Sequence, residues 1–292
     1  MNRFTKAGLA MAVSLLAAHA TAQVTTIPDT ALTPTTTLYT NNFGAVVVTT
    51  GGGNAANVGA PSGRNDDGFR GPIDFNFTNA GHQLTNFFGG NYGSFYVNTN
   101  GNITFNQGLA SFTPSGPQGA SQPVIAPFFA DVDTRGNRSG VVHLNQVVSN
   151  QTVVSWDQVG YFGAHDNLLD TFQLIVRGPD YLVPVGEGQI GFYWNTMGWE
   201  TGDASGGSGG FGGTPAAVGF GDGAQNGYIL EGSTANGISR IVNNEFIWFN
   251  LNAQGVPIPV PVNPVPEPET YALMLAGLAA LGVIGRRRKA RG

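Results

Sequence analysis

The chain contains no cysteine. That absence removes thiolate nucleophiles, cysteine-ligated zinc and iron–sulfur centres, and it also removes disulfide staples. A fold outside the cell must then be held by its core alone, which a chain of this length permits. Charge is scarce too: Asp, Glu, Lys and Arg make up 11% of the residues, against about 25% in ordinary globular domains. Between residues 23 and 285 there is no lysine, and six arginines stand against all eighteen acids, a balance of −12. That balance argues against nucleic acid as a partner, because phosphate binding is driven by Lys and Arg. Divalent cations and neutral polysaccharide stay open. Long apolar runs are confined to the two ends, and no stretch between them keeps a 3.6-residue period.

The N-terminal run reads MNRFTKAGLAMAVSLLAAHATA. Arg3 and Lys6 precede an apolar segment with no polar face, and Ala20-Thr21-Ala22 is a small-x-small site. Residues 1–22 are therefore expected to be a secretory signal peptide. Residues 23–63, rich in Thr, Gly and Ala, read as an extended lead-in with one edge strand near residues 45–50.

Strand signals fill residues 64–251. SFYVNTNGNITF sets Phe95 and Val97 on one face, turns at Asn100-Gly101 and returns with Ile103 and Phe105, which is a strong hairpin pattern. TVVSWD, FQLIVR, QIGFYWN and EFIWFNL alternate in the same way, with Gly and Asn clusters between them. The pattern predicts an all-β domain, an antiparallel β-sandwich with long Gly-rich loops. GDASGGSGGFGG at 202–213 buries no apolar side chains and reads as a mobile loop.

Several blocks occur in order: Asp66-Asp67-Gly68 before IDFNF, then YGSFYVNTNGNITF, PVIAPFFADVDTRGNRSGVV, TVVSWDQVGYF, DTFQLIV, IGFYWNTMGW, AAVGFGDG and ILEGS. This series resembles the NIDO (nidogen extracellular-like) domain over roughly residues 64–237. The resemblance implies an extracellular, non-enzymatic module of matrix and adhesion proteins, and it supplies no catalytic set.

The residues themselves suggest one metal site. If Asp131 and Asp133 lie on a strand, both carboxylates face the same side and can address one hard cation such as Ca2+. The alternative is a solvated strand end in which Asp133 pairs with Arg135 or Arg138. Asp66-Asp67 is a weaker candidate for such a cation and reads first as a turn signal ahead of the first core strand. Two carboxylates side by side on a strand are wrong for a glycosidase, which needs them across a cleft, and nothing selects Glu187 or Glu200 as the second one. His165-Asp166 has no serine in a nucleophile-elbow context. The chain is expected not to be an enzyme. Trp156, Trp194 and Trp248 sit inside strand patterns and read as core, whereas Trp199, beside the Gly-rich loop, is the candidate exposed platform for a sugar ring.

After Leu251 the sequence becomes VPIPVPVNPVPEP. Residues 252–264 read as a Pro-rich linker in the polyproline II conformation. An apolar run at 271–285 follows, and Arg286, Arg287, Arg288 and Lys289 close it. As a C-terminal helix those fifteen residues span only about 22 Å, short of a bilayer core of about 30 Å. The triplet Pro266, Glu267 and Pro268, the apolar helix and the arginine cluster together resemble the PEP-CTERM sorting signal of Gram-negative bacteria that make exopolysaccharide, over residues 265–292. The resemblance implies processing by an exosortase near Pro-Glu-Pro after transient inner-membrane insertion of the helix. It also implies delivery to the cell surface or extracellular matrix. The combined reading is an adhesion or assembly protein of a biofilm matrix, with matrix proteins or extracellular polysaccharide as partners. The alternative is a carbohydrate-binding module for exopolysaccharide.

Overall fold

The computed structural model describes residues 23–51, 63–224 and 226–261. The expected signal peptide, the apolar run at 271–285, and Pro266, Glu267, Pro268, Arg286, Arg287 and Arg288 lie outside the described residues. Among the described residues no helix is long and apolar enough to cross a membrane.

The hairpin at Asn100-Gly101 forms as its alternation predicts. Ser94–Asn98 pairs antiparallel with Asn102–Thr104, placing Val97 opposite Ile103. Gly101 has φ 72°, and a Cβ there would overlap the carbonyl oxygen of Phe128. Glycine alone lets the turn lie this close to the neighbouring strand.

Two sheets build the sandwich. The seven-stranded sheet runs Val24–Ile27, Gly227–Leu230, Ala217–Asp222, Pro123–Phe129, Asn102–Thr104, Ser94–Asn98 and Phe69–Asp74. The other, of nine strands, runs Pro257–Pro259, Glu245–Leu251, Ile190–Met197, His165–Arg177, Gln151–Tyr161, Val142–Asn145 and Ala45–Val46, with Val132–Asp133 and Thr33–Pro34 attached at its sides. Pairing is antiparallel except between Val24–Ile27 and Gly227–Leu230. The lead-in is thus part of both sheets rather than a preface to them. The Pro-rich stretch begins as an edge strand, where a residue lacking N–H is tolerated.

Alternation sorts the side chains by face. Phe95, Val97, Ile103, Ile125 and Phe220 from one sheet meet Val154, Trp156, Phe172, Leu174, Phe192 and Trp194 from the other in one buried cluster. Two tryptophans also tie the sheets together by hydrogen bonds. Trp156 donates its indole N–H to the Thr99 carbonyl at 2.9 Å, and Trp194 donates to the Pro127 carbonyl at 2.9 Å. Each bond satisfies an indole that would otherwise be buried without a partner. On the outer face of the nine-stranded sheet, the buried Arg177 guanidinium lies 4.2 Å from the Trp248 ring centroid and 4.4 Å from that of Tyr181. Its charge is met by Glu187.

Trp199 departs from expectation. It is 0% exposed, packed edge-on to Phe128 and tilted against Tyr161, and its indole N–H donates to the Val159 carbonyl at 3.0 Å. An exposed sugar platform does not exist at this position. The glycines read as a mobile loop are what bury it: Glu200 and Thr201 donate their N–H groups to the Gly210 carbonyl, folding the loop back over the indole. On the other side, the Asp170 carboxylate accepts from the N–H groups of Gly198 at 2.6 Å and Trp199 at 3.1 Å.

Two outcomes follow. Trp194→Phe leaves the Pro127 carbonyl without its donor and removes buried ring volume. In a urea titration it is expected to lower the unfolding free energy by about 2–4 kcal/mol, and a loss below about 0.5 kcal/mol would remove the stitching role. Asp170 is buried, and that burial holds its pKa well above the ordinary carboxylate value despite the two amide donors. A group raised in the folded state contributes stability below its unfolded pKa and loses it as pH climbs through the folded one. Asp170→Asn keeps an acceptor oxygen for both amides and does not titrate. Melting temperatures in EGTA should therefore shift in favour of the variant as pH rises from 4.5 to 8; a constant difference between the two proteins would show that Asp170 carries no pH dependence.

Candidate functional site

Four separate segments meet at one end of the sandwich. The antiparallel hairpin Gln151–Tyr161/His165–Arg177 fixes which end, because Tyr161 pairs with His165 there and Gln151 with Arg177 at the other. Val132–Asp133 pairs with Tyr161 and Gly160. Asp66 bridges to Asp133 across an isolated antiparallel contact. Asn65 and Thr134 lock this crossing, with the Asn65 N–H on the Thr134 hydroxyl at 2.7 Å and the Thr134 N–H on the Asn65 carbonyl at 3.0 Å. The turn at Asn100 completes the end: its side-chain Nδ2 donates to Asp67 at 2.8 Å, while its side-chain Oδ1 accepts the Val132 N–H at 3.0 Å.

These connections bring Asp66, Asp67 and Asp131 together. One carboxylate oxygen from each lies within 4.8 Å of the others, and all three residues are buried. Asp131 is 1% exposed, and neither of its oxygens has a hydrogen-bond partner among the described residues. Gly202 presses its backbone against that carboxylate so closely that a Cβ would overlap it. The preceding residue, Thr201, has a buried hydroxyl that also lacks a partner among the described residues. Asp67 itself sits at φ 58°, a left-handed conformation that Asp tolerates better than most residues.

The electrostatics follow from this crowding. Burial, then the charges of Asp66, Asp67, Asp133 and Asp203, push Asp131 up to about 8. Burial, Asp133 and Asp67 push Asp66 up to about 7, against the pull of Arg135. Asp67 is raised mainly by burial, partly offset by the Asn100 hydrogen bond. A charged, buried carboxylate without donors is costly, so such a site tends to take up a proton or a cation.

The two aspartates singled out in the sequence divide here. Asp133 is committed to Arg135, which donates Nε at 2.9 Å and Nη2 at 2.6 Å, and it also accepts the N–H of Ala164 at 2.8 Å. Arg135 reaches Asp66 as well, at 2.7 Å. Asp131 lies just before the strand Val132–Asp133, so the same-face alternation assumed for the pair does not apply. Its neighbours are Asp66 and Asp67 instead. The sequence marks Asp66-Asp67 as a turn first and a weaker cation candidate second, and it gives no signal for Asn100 or Thr201 as site residues, whose roles depend on contacts far along the chain.

Other polar candidates have structural partners. Glu200 accepts from the N–H groups of Gly237 and Ser239 and from the Ser239 hydroxyl, fixing the start of the short helix Ile238–Val242. Glu187 pairs with Arg177. His165 and Asp166 diverge: His165 Nδ1 is 3.7 Å from Asp203, and Asp166 accepts the Arg138 N–H at 2.7 Å.

Residues 264–289 match the PEP-CTERM protein-sorting motif. Alpha-tectorin of Mus musculus is 31% identical over 175 residues, covering 50% of this chain and 8% of the tectorin. The Homo sapiens protein is 30% identical over 176 residues, with 50% and 8% covered, and that of Gallus gallus is 28% identical over 184 residues, with 53% and 8% covered. The chain thus spans 8% of the length of these relatives. No solved structure matches it. The model of the nidogen-like domain matches residues 93–258, more than half of the chain, and the chain belongs to the nidogen-like domain family.

Proposed function

We propose that this is an exported substrate of an exosortase whose nidogen-like module serves adhesion or assembly in a cell-surface or biofilm matrix, without catalysis. The observation that carries this reading is the joining, in one chain, of a nidogen-like domain at 93–258 to a PEP-CTERM sorting motif at 264–289. The motif implies export and processing, and the domain implies a matrix-type role. In this reading the chain divides into a leader at 1–22, a folded module widened from 64–251 to take in the lead-in strands and Pro257–Pro259, and a sorting signal at 265–292. The apolar run at 271–285 serves as a transient inner-membrane stop.

Two features of the structure support a binding rather than a catalytic role. The convergent carboxylates are at most 4% exposed and lie closer together than the roughly 5–9.5 Å used by glycosidase pairs. They offer a substrate neither access nor the right spacing. At the opposite end of the nine-stranded sheet, large apolar side chains face solvent: Leu182 is 93% and Val185 102% exposed, with Val147 at 75% on the adjoining loop. Gly178 and Asn150 tie those loops together by a backbone hydrogen bond of 2.9 Å. Exposed apolar side chains on adjoining loops mark an interaction surface where they form one patch. With Trp199 buried, the sugar-platform form of the alternative has no remaining support.

The test is an intact mass of the protein recovered from its own host, with the fraction it came from. A mass ending near Pro268 in the surface or medium fraction is expected. Replacing Pro266, Glu267 and Pro268 by alanine should leave a longer product in the membrane fraction. A wild-type product retaining Arg286, Arg287 and Arg288 in the inner membrane would contradict processing and make the protein an anchored one.

A further inference from the structure

We infer that Asp66, Asp67 and Asp131 form a calcium site that closes the loop end of the sandwich. The inference stands on the geometry of that end and does not depend on the matrix role.

The spacing fits one ion. Calcium–oxygen distances of about 2.3–2.6 Å place ligands on opposite sides of an ion about 4.6–5.2 Å apart. The three carboxylate oxygens lie within 4.8 Å of one another, so a single ion can touch all three. Charge points the same way. Arg135 acts on Asp66, Asp67 and Asp133 but not on Asp131, whose charged neighbours are all acids. Arg135 holds Asp133 by a two-point contact and shares Asp66, which leaves Asp131 with no cation of its own.

Asp131 is the second, independent pointer to a ligand. It is buried, aimed into the group, and neither oxygen is hydrogen-bonded among the described residues. Buried polar atoms almost always find a partner, and a carboxylate without one usually signals a missing ion or water. The donor set is wholly oxygen, which suits a hard cation and not zinc or copper. Magnesium keeps several waters in a strict octahedron, and an end this enclosed leaves little room for them. Calcium takes irregular sets of carboxylate, carbonyl and hydroxyl oxygens. Here the Thr201 hydroxyl, one residue from the Gly202 contact with Asp131, lacks a partner among the described residues.

The consequence is architectural. The ion would join the segment before Phe69–Asp74, the connection after Pro123–Phe129 and the loop that covers Trp199. These belong to distant parts of the chain, and no disulfide is available to hold them. Like an interdomain staple, calcium would suppress opening of this end.

The experiment is calorimetric titration of the exported chain, stripped with EGTA and exchanged into metal-free buffer, with CaCl2 and separately with MgCl2. Thermal melts accompany each titration. The expected result is one calcium per chain, with a dissociation constant of about 1 mM or tighter, as in other extracellular modules. At 5 mM calcium the melting temperature should rise by about 2 °C or more. Asp131→Asn and Asp67→Asn should each weaken binding at least about tenfold, because each removes a charged ligand. Without metal the Asp131→Asn protein should melt no lower than the parent, since the substitution removes a repelled charge. That comparison separates loss of a ligand from loss of the fold, and Asp67→Asn gives a second reading if Asp131→Asn does not fold. Absence of heat and of any melting shift overturns the site. Undiminished binding in both variants, or an equal response to magnesium, overturns it as well.

Discussion

The rest of the molecule depends on how it handles buried negative charge at one end of its sandwich. Six arginines serve eighteen acids over most of the chain, with no lysine to help. Most of the acids remain near water or find amide donors. Asp66, Asp67 and Asp131 do neither in full. They lie under the turn at Asn100, beside the strand Val132–Asp133 and beneath the loop at Gly202, where burial and neighbouring carboxylates, that of Asp133 among them, raise the pKa of Asp66 and Asp131. Arg135 neutralises part of this group, and the remainder calls for a proton or an external cation. A protein exported without disulfides would have calcium available where its signals send it. The ion would then perform the cross-linking that cysteines perform in many small extracellular modules.

The opposite end and the core follow simpler rules. Alternating strands place one aromatic layer against another, and indole N–H groups reach across to carbonyls of the facing sheet. Those bonds make the sandwich specific as well as apolar, because a slip of one residue would leave both indoles unsatisfied. The outer face has its own device in Arg177, flattened between Trp248 and Tyr181 with Glu187 at its edge. From that face project the loops that carry Leu182 and Val185 into solvent. The two ends of one sheet therefore differ in chemistry: one gathers buried carboxylates, and the other carries exposed apolar side chains.

The fold was readable in the sequence wherever the information was local. The hairpin at Asn100-Gly101 and the strand Glu245–Leu251 needed only alternation and a turn signal, and they stand where the pattern placed them. Three readings went astray because each turned on how the chain packs, which the local residue pattern does not show. Trp199 looked exposed because glycines follow it, yet glycine is what allows the backbone to wrap over an indole. Asp131 looked like a partner of Asp133, but it sits ahead of the strand, and its neighbours at 66 and 67 are invisible at that range. Pro257–Pro259 looked like a detached linker, and it joins the sheet because an edge position does not need every N–H.

The central claim is that the loop end is completed by a cation that the chain itself does not supply. A crystal structure of the exported protein grown with calcium, with anomalous scattering recorded, tests it most directly. The account predicts an anomalous peak among the Asp66, Asp67 and Asp131 carboxylates, with oxygen ligands at about 2.3–2.6 Å. Carboxyl groups hydrogen-bonded directly to one another, with no anomalous peak at millimolar calcium, would show that protons close this end, and would contradict the account.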